Sequence, residues 1–361
     1  MFFVALTPLL PDYRDEFELS KAGAGILSAA YPIGALVGSV PGGLATARFG
    51  ARPTAIAGLL TIAVTTFIFA TGDSILVLDV SRFVQGFGSA LAWTAGLSWL
   101  VSETPAERRG QTIGTAMATA IVGALFGPVL GGIASIVGQG LAFGTAGLIA
   151  VALAVWAGLT HAPPPARTQP LAVFVGALRN RRIFAGVWLV LLPAMLFGAL
   201  GVLAPLRLEA LGLTAVAIGS LWLGMAGLEA IVNPLIGRIS DRIGRFPPMR
   251  MSALASAAVA VSLPWPDDRV LLAALVFAAG VAFGSFWTPA IALLSDEAEA
   301  SGLDYAYAFA LINLAWAPGH ALGASGGGAL ADLTSDAVPY LLLAATCLLT
   351  FGLLWRSRSS S

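Results

Sequence analysis

Four ionisable side chains lie inside long apolar runs, and they are where this chain would do chemistry. Glu229 falls in Leu213–Ile236, Asp79 and Arg82 in Ile75–Val101, and His320 in Tyr305–Leu330. At the centre of a hydrocarbon layer a charge costs ~2.5–3.5 kcal/mol on insertion scales, so each needs a partner, a water path or a task. Glu229 has no basic residue within a turn to neutralise it, which makes it the sharpest candidate for binding and releasing protons. A glutamate bonded to a neighbouring helix is the plainer reading. Asn233, one turn on, shares its face and is placed to line the same cavity. Asp79 and Arg82 are spaced to share a helix face, either as a self-neutralising pair or with Arg82 holding an acidic partner or substrate charge. His320 offers an imidazole, which exchanges protons near neutral pH, although a lone histidine is more often a packing residue. Gln85, Asn233 and Asn313 complete the polar candidates for a cavity.

These residues must be held by apolar helices. The chain has 361 residues, 58% hydrophobic and 11% charged, where a soluble domain carries about a quarter charged. It reads as an all-α membrane protein. Spanning stretches lie near Ala22–Ala45, Thr54–Ala70, Ile75–Val101, Thr112–Val137 and Leu141–Leu159, then Ile183–Leu206, Leu213–Ile236, Met251–Leu263, Val270–Leu294, Tyr305–Leu330 and Ala337–Trp355. Met1–Pro11 is apolar but about half the length a spanning helix needs, and an acidic run follows it. It reads as the outer half of a first span, with an interfacial segment as the alternative. The expected total is twelve. The proline-bearing connector 161–180 shows no apolar period and divides residues 1–160 from 181–361, six spans each.

Alternate loops hold fourteen of the nineteen basic residues, among them Arg48, Arg52, Arg238, Arg242 and Arg245, and the opposite loops hold four. The basic side is therefore expected to be cytoplasmic, with the connector and C-terminus. Net charge is zero, which argues against nucleic acid. Cys347 is alone and there are two histidines, so no metal site is evident. No Gly-x4-Gly-Lys-Ser/Thr loop appears, so ATP-driven pumping is unsupported, and no cofactor is expected.

The chain also repeats itself. Gly237-Arg-Ile-Ser-Asp241-Arg242-Ile-Gly244-Arg245 echoes Gly43-Leu-Ala-Thr-Ala47-Arg48-Phe-Gly50, 194 residues earlier. Gly86, Trp93 and Glu103 map onto Gly280, Trp287 and Glu297 at the same offset. Gly123-x3-Gly127-Pro128-x2-Gly131-Gly132 returns at Gly319-x3-Gly323-Ala324-x2-Gly327-Gly328. Repeats of this size typify secondary transporters, whose substrate site lies between the repeats. Small residues four apart let helices approach closely, and Pro128 weakens the backbone ladder so that its helix can bend.

On these residues the chain resembles the major facilitator superfamily. Gly237–Arg245 resembles that family's loop signature, Arg82-Phe-Val-Gln85-Gly86-Phe-Gly88 its fourth-span arginine motif, and Gly123–Gly132 the fifth-span motif of its proton-driven antiporters. The resemblance implies two pseudo-symmetric six-helix halves rocking about a central cavity, with the two loops as cytoplasmic gates. It implies proton-coupled export of a drug or metabolite across the cell membrane by a monomer. Ala47 departs from the family's acidic position and leaves Asp241 as the obvious latch residue. The acidic stretch Asp296, Glu297, Glu299 and Asp304 is expected to be solvated, or to pair with Arg48 or Arg242 when the gate closes. An importer or facilitator of sugars or organic acids is the nearest alternative, and a degenerate, non-transporting membrane protein is the next.

Overall fold

The computed structural model describes residues 2–105, 108–162, 170–303 and 305–356. Among them the structure is helical and contains no strand. Helix α1 runs through Phe2–Ala5, a 3-10 turn Thr7–Leu9, and Leu10–Glu16. Then follow α2 (Lys21–Phe49), α3 (Ala51–Thr71), α4 (Ile75–Ser102), α5 (Arg109–Val137) and α6 (Gln139–Leu159). The second six are α7 (Arg181–Ala210), α8 (Ala215–Ile243), α9 (Phe246–Ser262), α10 (Arg269–Ala300), α11 and α12 (Ala337–Arg356). Helix α11 is Tyr305–Ala321 continued through a π turn, Leu322–Gly326, into Gly327–Leu333. Eight of these helices are long and apolar enough by themselves to cross a membrane.

Short polar residues start the helices by satisfying their first free N–H groups. Ser20, Ser74, Thr214 and Asp268 each accept from a backbone N–H two or three residues on. The hairpins α2–α3 and α8–α9 both turn on a glycine in the left-handed region, Gly50 (φ 94°) and Gly244 (φ 89°). A side chain there would be strained, which explains why the repeated loops keep glycine at this point.

The first half packs through α2, α3, α4 and α6, and the second through α7 to α12. Helix α1 is inside the bundle rather than at an interface. Ala5, Leu6, Leu9, Leu10 and Tyr13 are buried, and the Tyr13 hydroxyl donates to Gln139 Oε1 at 2.5 Å. By the 194-residue offset, Phe2–Glu16 matches Leu196–Ala210, the second half of α7. In the connector, Leu171–Ala177 is helical, with Phe174 buried 4.9 Å from the Tyr307 ring. Two turns are too few to display an apolar period, so the sequence concealed it.

The halves meet along α2–α11 and α5–α8, and these contacts gather at the end opposite the arginine loops, here the acidic face. A Cβ at Gly25 would meet the Ala324 carbonyl oxygen at 2.5 Å, and one at Gly219 the Pro128 carbonyl oxygen at 2.9 Å. Ion pairs cross between the halves on this face. Arg14 reaches Glu209 at 3.0 Å, and Lys21 pairs with Asp336. Asp332 accepts from the first N–H groups of α2, Lys21 at 3.0 Å and Ala22 at 2.7 Å. A carboxylate is well placed there, because the helix N-terminus carries partial positive charge.

At the basic end, arginines instead cap helix C-termini. Arg52 donates to the Gly158 carbonyl of α6, and Arg250 donates to the Leu354 carbonyl of α12.

Candidate functional site

Glu229 lies midway along α8, partly buried against α10. Two glycines of α10 make the notch that receives its carboxyl. A Cβ at Gly280 would stand 3.2 Å from Glu229 Oε1, and one at Gly284 3.2 Å from Oε2. No described ion pair or hydrogen bond reaches Glu229 from any neighbouring helix. Asn233, one turn toward the basic end, holds a buried Oδ1 with no hydrogen-bond partner. The structure thus keeps Glu229 and Asn233 on one helix, as their spacing predicts. It adds Gly280 and Gly284, which the sequence marked only as a repeat position and an unremarked glycine.

Arg82 and His320 meet elsewhere, around Phe3. The Arg82 guanidinium is buried and donates to the Phe3 carbonyl and to Gln85 Oε1, both at 3.1 Å. It also stands over the rings of Tyr31, at 5.0 Å, and Phe69, at 5.9 Å. Gln85 passes the chain on, donating to Thr66 Oγ1 at 2.8 Å. A buried cation bonded this way fixes its neighbours as much as they fix it. The expected Asp79–Arg82 pair does not form. Asp79 is half-buried with Oδ1 unpartnered, because the guanidinium is committed to Phe3, Gln85 and the aromatic faces. His320 is buried with its ring edge-on to Phe3 at 4.7 Å and 5.9 Å from Trp316. Phe3 therefore touches groups from both halves. Asn313 is partly buried on α11 and makes no described hydrogen bond.

The loops at the basic end differ in what holds them. In the second, Arg245 pairs with Asp241 at 2.5 Å in its own loop and with Asp296 of α10 at 3.2 Å. Asp296 is exposed and in this conformation pairs with Arg245, four residues after Asp241. The reason is that α8, α9 and α10 share one half, so these groups are neighbours whatever the halves do. Arg242 is exposed. In the first loop Arg48 is exposed over the Phe49 ring at 5.4 Å, and a Cβ at Gly43 would meet no atom within 4 Å. A Cβ at Gly237 would find only Thr288, at 3.6 Å. Asp304 lies outside the described residues.

The repeated glycine motif is also used unequally. On α11, Gly319 and Gly323 admit the Leu191 and Met195 carbonyls of α7. On α5, Gly131 admits the Ala5 carbonyl of α1, a Cβ at Gly132 would stand 3.9 Å from Val216 of α8, and one at Gly123 would meet nothing within 4 Å. Gly127 and Pro128 are buried. A cleft of about 830 Å³ opens between the basic ends of α4 and α5. Trp93, Leu100, Glu103, Thr115 and Thr119 line it. No sequence signal announced this cleft, since each lining residue is unremarkable on its own helix.

A sequence profile described as Major Facilitator Superfamily matches residues 1–319 and 230–361. The chain belongs to the major facilitator superfamily. Its fold agrees with that of a partially occluded inward-open xylose transporter, XylE from E. coli. The TM-score is 0.76 at 16% identity, over 98% of this chain and 93% of that one. Along nearly its whole length it is similar to Multidrug resistance protein 1 of Bacillus subtilis (strain 168). The two are 25% identical over 353 residues, 96% of this chain and 89% of that protein. It is 28% identical over 343 residues to a chloramphenicol resistance protein of Streptomyces lividans, covering 89% and 84%. A higher identity, 36% over 115 residues, joins it to the MFS-type transporter ppzB of Metarhizium rileyi (strain RCEF 4871). That alignment spans only 30% of this chain and 24% of that one. This member of the superfamily is a membrane transporter with efflux-type relatives, and not an enzyme.

Proposed function

We propose that this transporter exports a small amphipathic organic molecule across the cell membrane in exchange for protons, by alternating access. The observation that carries the reading is Glu229, a carboxyl lodged between Gly280 and Gly284 of an apolar bundle, which no ion pair among the described residues neutralises. Such a group carries a proton in one conformation and releases it in another when its access to water changes. Arg82 and His320 sit where the halves meet, and Asp79 offers a second unpartnered carboxyl toward the acidic face. The similarity to resistance proteins supports export and an organic substrate.

Positive loops favour the cytoplasm, so the basic end faces inward. The gathering of cross-half contacts on the acidic face supports an inward-facing reading of this conformation. Export then requires parting Lys21 from Asp336 and Arg14 from Glu209, and closing the two arginine loops together. Residues 1–160 and 181–361 act as the rocking bodies, with 161–180 between them, in a protein that works as a monomer.

The test is accumulation of a panel of dyes and antibiotics in an efflux-deficient host expressing the chain, with and without a protonophore. Lowered accumulation that the protonophore restores is the expected result, together with its loss in Glu229→Gln. Unchanged accumulation of every compound, with the protein confirmed in the membrane, would overturn it. Raised accumulation of a sugar or organic acid would instead establish import.

A further inference from the structure

Glu229 and Asn233 form a pair of hydrogen-bond acceptors without a donor. They lie one helical turn apart on the same face of α8, where side chains four apart stand about 5–6 Å from each other. The Glu229 carboxyl is lodged between Gly280 and Gly284 of α10, and Asn233 Oδ1 is buried with no partner. Buried acceptors are nearly always satisfied, and an orphan calls for a missing donor. A proton on Glu229 supplies one donor and no positive charge. A primary or secondary ammonium supplies at least two N–H groups and a positive charge. Its nitrogen can direct one N–H to each of two acceptors on neighbouring turns of a helix.

The surroundings suit the rest of such a molecule. Met225 is one turn from Glu229 toward the acidic face and packs on Gly280, and Phe277 of α10 packs on Gly224. Both are apolar, and the Met225 thioether adapts to varied shapes. No described ion pair places a competing cation against Glu229.

We propose that the Glu229–Asn233 face of α8 binds the protonated amine of the transported molecule, a primary or secondary ammonium carried on an apolar body. This names the substrate class of the exporter proposed above and rests on that reading. Glu229 accepts from the ammonium as its charge partner, Asn233 Oδ1 takes a second N–H, and Gly280 and Gly284 leave the carboxyl the room it occupies.

The test uses the full chain in lipid nanodiscs and two fluorescent probes, dansylcadaverine and its N-acetyl derivative, which differ in the ammonium alone. The amine is expected to bind about tenfold or more tightly than the amide, as a charge-assisted bond would give. Glu229→Gln should erase that preference, and Asn233→Leu should weaken amine binding while leaving the amide unchanged. The amide affinity and the thermal unfolding midpoint report whether each variant is folded. Equal affinity for the two probes, including no binding of either, overturns the proposal, as does a preference that survives in folded Glu229→Gln. The export assay fails separately. Amine preference without protonophore-sensitive export removes the exporter reading and leaves the site. Export that is indifferent to the ammonium removes the site and leaves the exporter.

Discussion

Helices α2 and α4 stand in the first half where α8 and α10 stand in the second, yet the two pairs touch differently. Gly34 of α2 lies against the Phe83 carbonyl and Gly86 of α4 against the Tyr31 carbonyl, and a Cβ at Gly38 would stand 2.8 Å from the Phe87 carbonyl oxygen. This is backbone on backbone, as small residues four apart permit. At the matching positions of α8 the chain has Leu228 for Gly34 and Val232 for Gly38, and Glu229 replaces Ala35. Against Gly280 and Gly284 of α10 stand the Met225 side chain and the Glu229 carboxyl. A carboxyl needs volume and a route to water, and close glycine packing denies both. One pair is therefore built as scaffold, the other as a place where a proton and a ligand can reside.

The largest effect is expected from asking the first pair to imitate the second. In Ala35→Glu the new side chain would enter an interface where a Cβ on Gly86 already stands 3.0 Å from the Ala35 nitrogen. Overpacking costs about 1–3 kcal/mol and an unsatisfied buried polar group about 1–3 kcal/mol more. Membrane yield and the unfolding midpoint should both fall sharply, and a normal midpoint would contradict this account of the interface.

The reverse exchange, Glu229→Gln, should leave the unfolding midpoint within about 2 °C of the parent. Protonophore-sensitive export should nonetheless be lost, because the amide cannot carry the proton. A folded variant that still exports would remove Glu229 from coupling.

A smaller effect is expected from Gly284→Ala. The added methyl would lie 3.1 Å from Glu229 Cγ, on a flexible side chain that yields by a few tenths of an ångström. Export should persist with a few-fold shift in its apparent proton affinity. An unshifted pH profile would show that the notch does not position the carboxyl.

The smallest concerns the interfaces between halves. Asp332 caps α2 from α11, whereas on α5 the matching residue is Ile136. Burial pushes the Asp332 carboxyl up, but hydrogen bonds from Ala22, Ser20 and Lys21 outweigh it and hold the group below the usual carboxylate range. A depressed value stabilises the folded form above the ordinary Asp range, and that gain is lost as pH falls through the depressed one. Asp332→Ala should cost about 1 kcal/mol near neutrality, as for a lost cap, and progressively less in strong acid. A pH-independent difference between variant and parent would mean the carboxylate is not the stabilising group.

The spans and the paired loops were legible because length, apolar content and Gly50 or Gly244 report on one segment at a time. Glu229 was legible for the same reason, as a charge with no neighbour of opposite sign on its own helix. What could not be read were relations between helices. Arg82 sits one turn from Asp79, and the spacing alone left open whether the two pair or Arg82 holds another group. The choice fell to the Phe3 carbonyl, 79 residues away in sequence. Likewise Gly123 and Gly319 carry identical signals, and only the presence of Leu191 beside one of them separates a packed contact from an open cleft.

The π turn at Leu322–Gly326 carries one residue more per turn than the helix around it. An α-helix advances about 100° per residue, so that surplus sets the heading of everything after it. Were the same residues wound as a regular α-helix instead, the last segment would swing by about 100°. Gly328 would leave the Lys21 carbonyl, and Asp332 would leave the start of α2. The seam between the halves on the acidic face is thus specified by the width of one turn in α11.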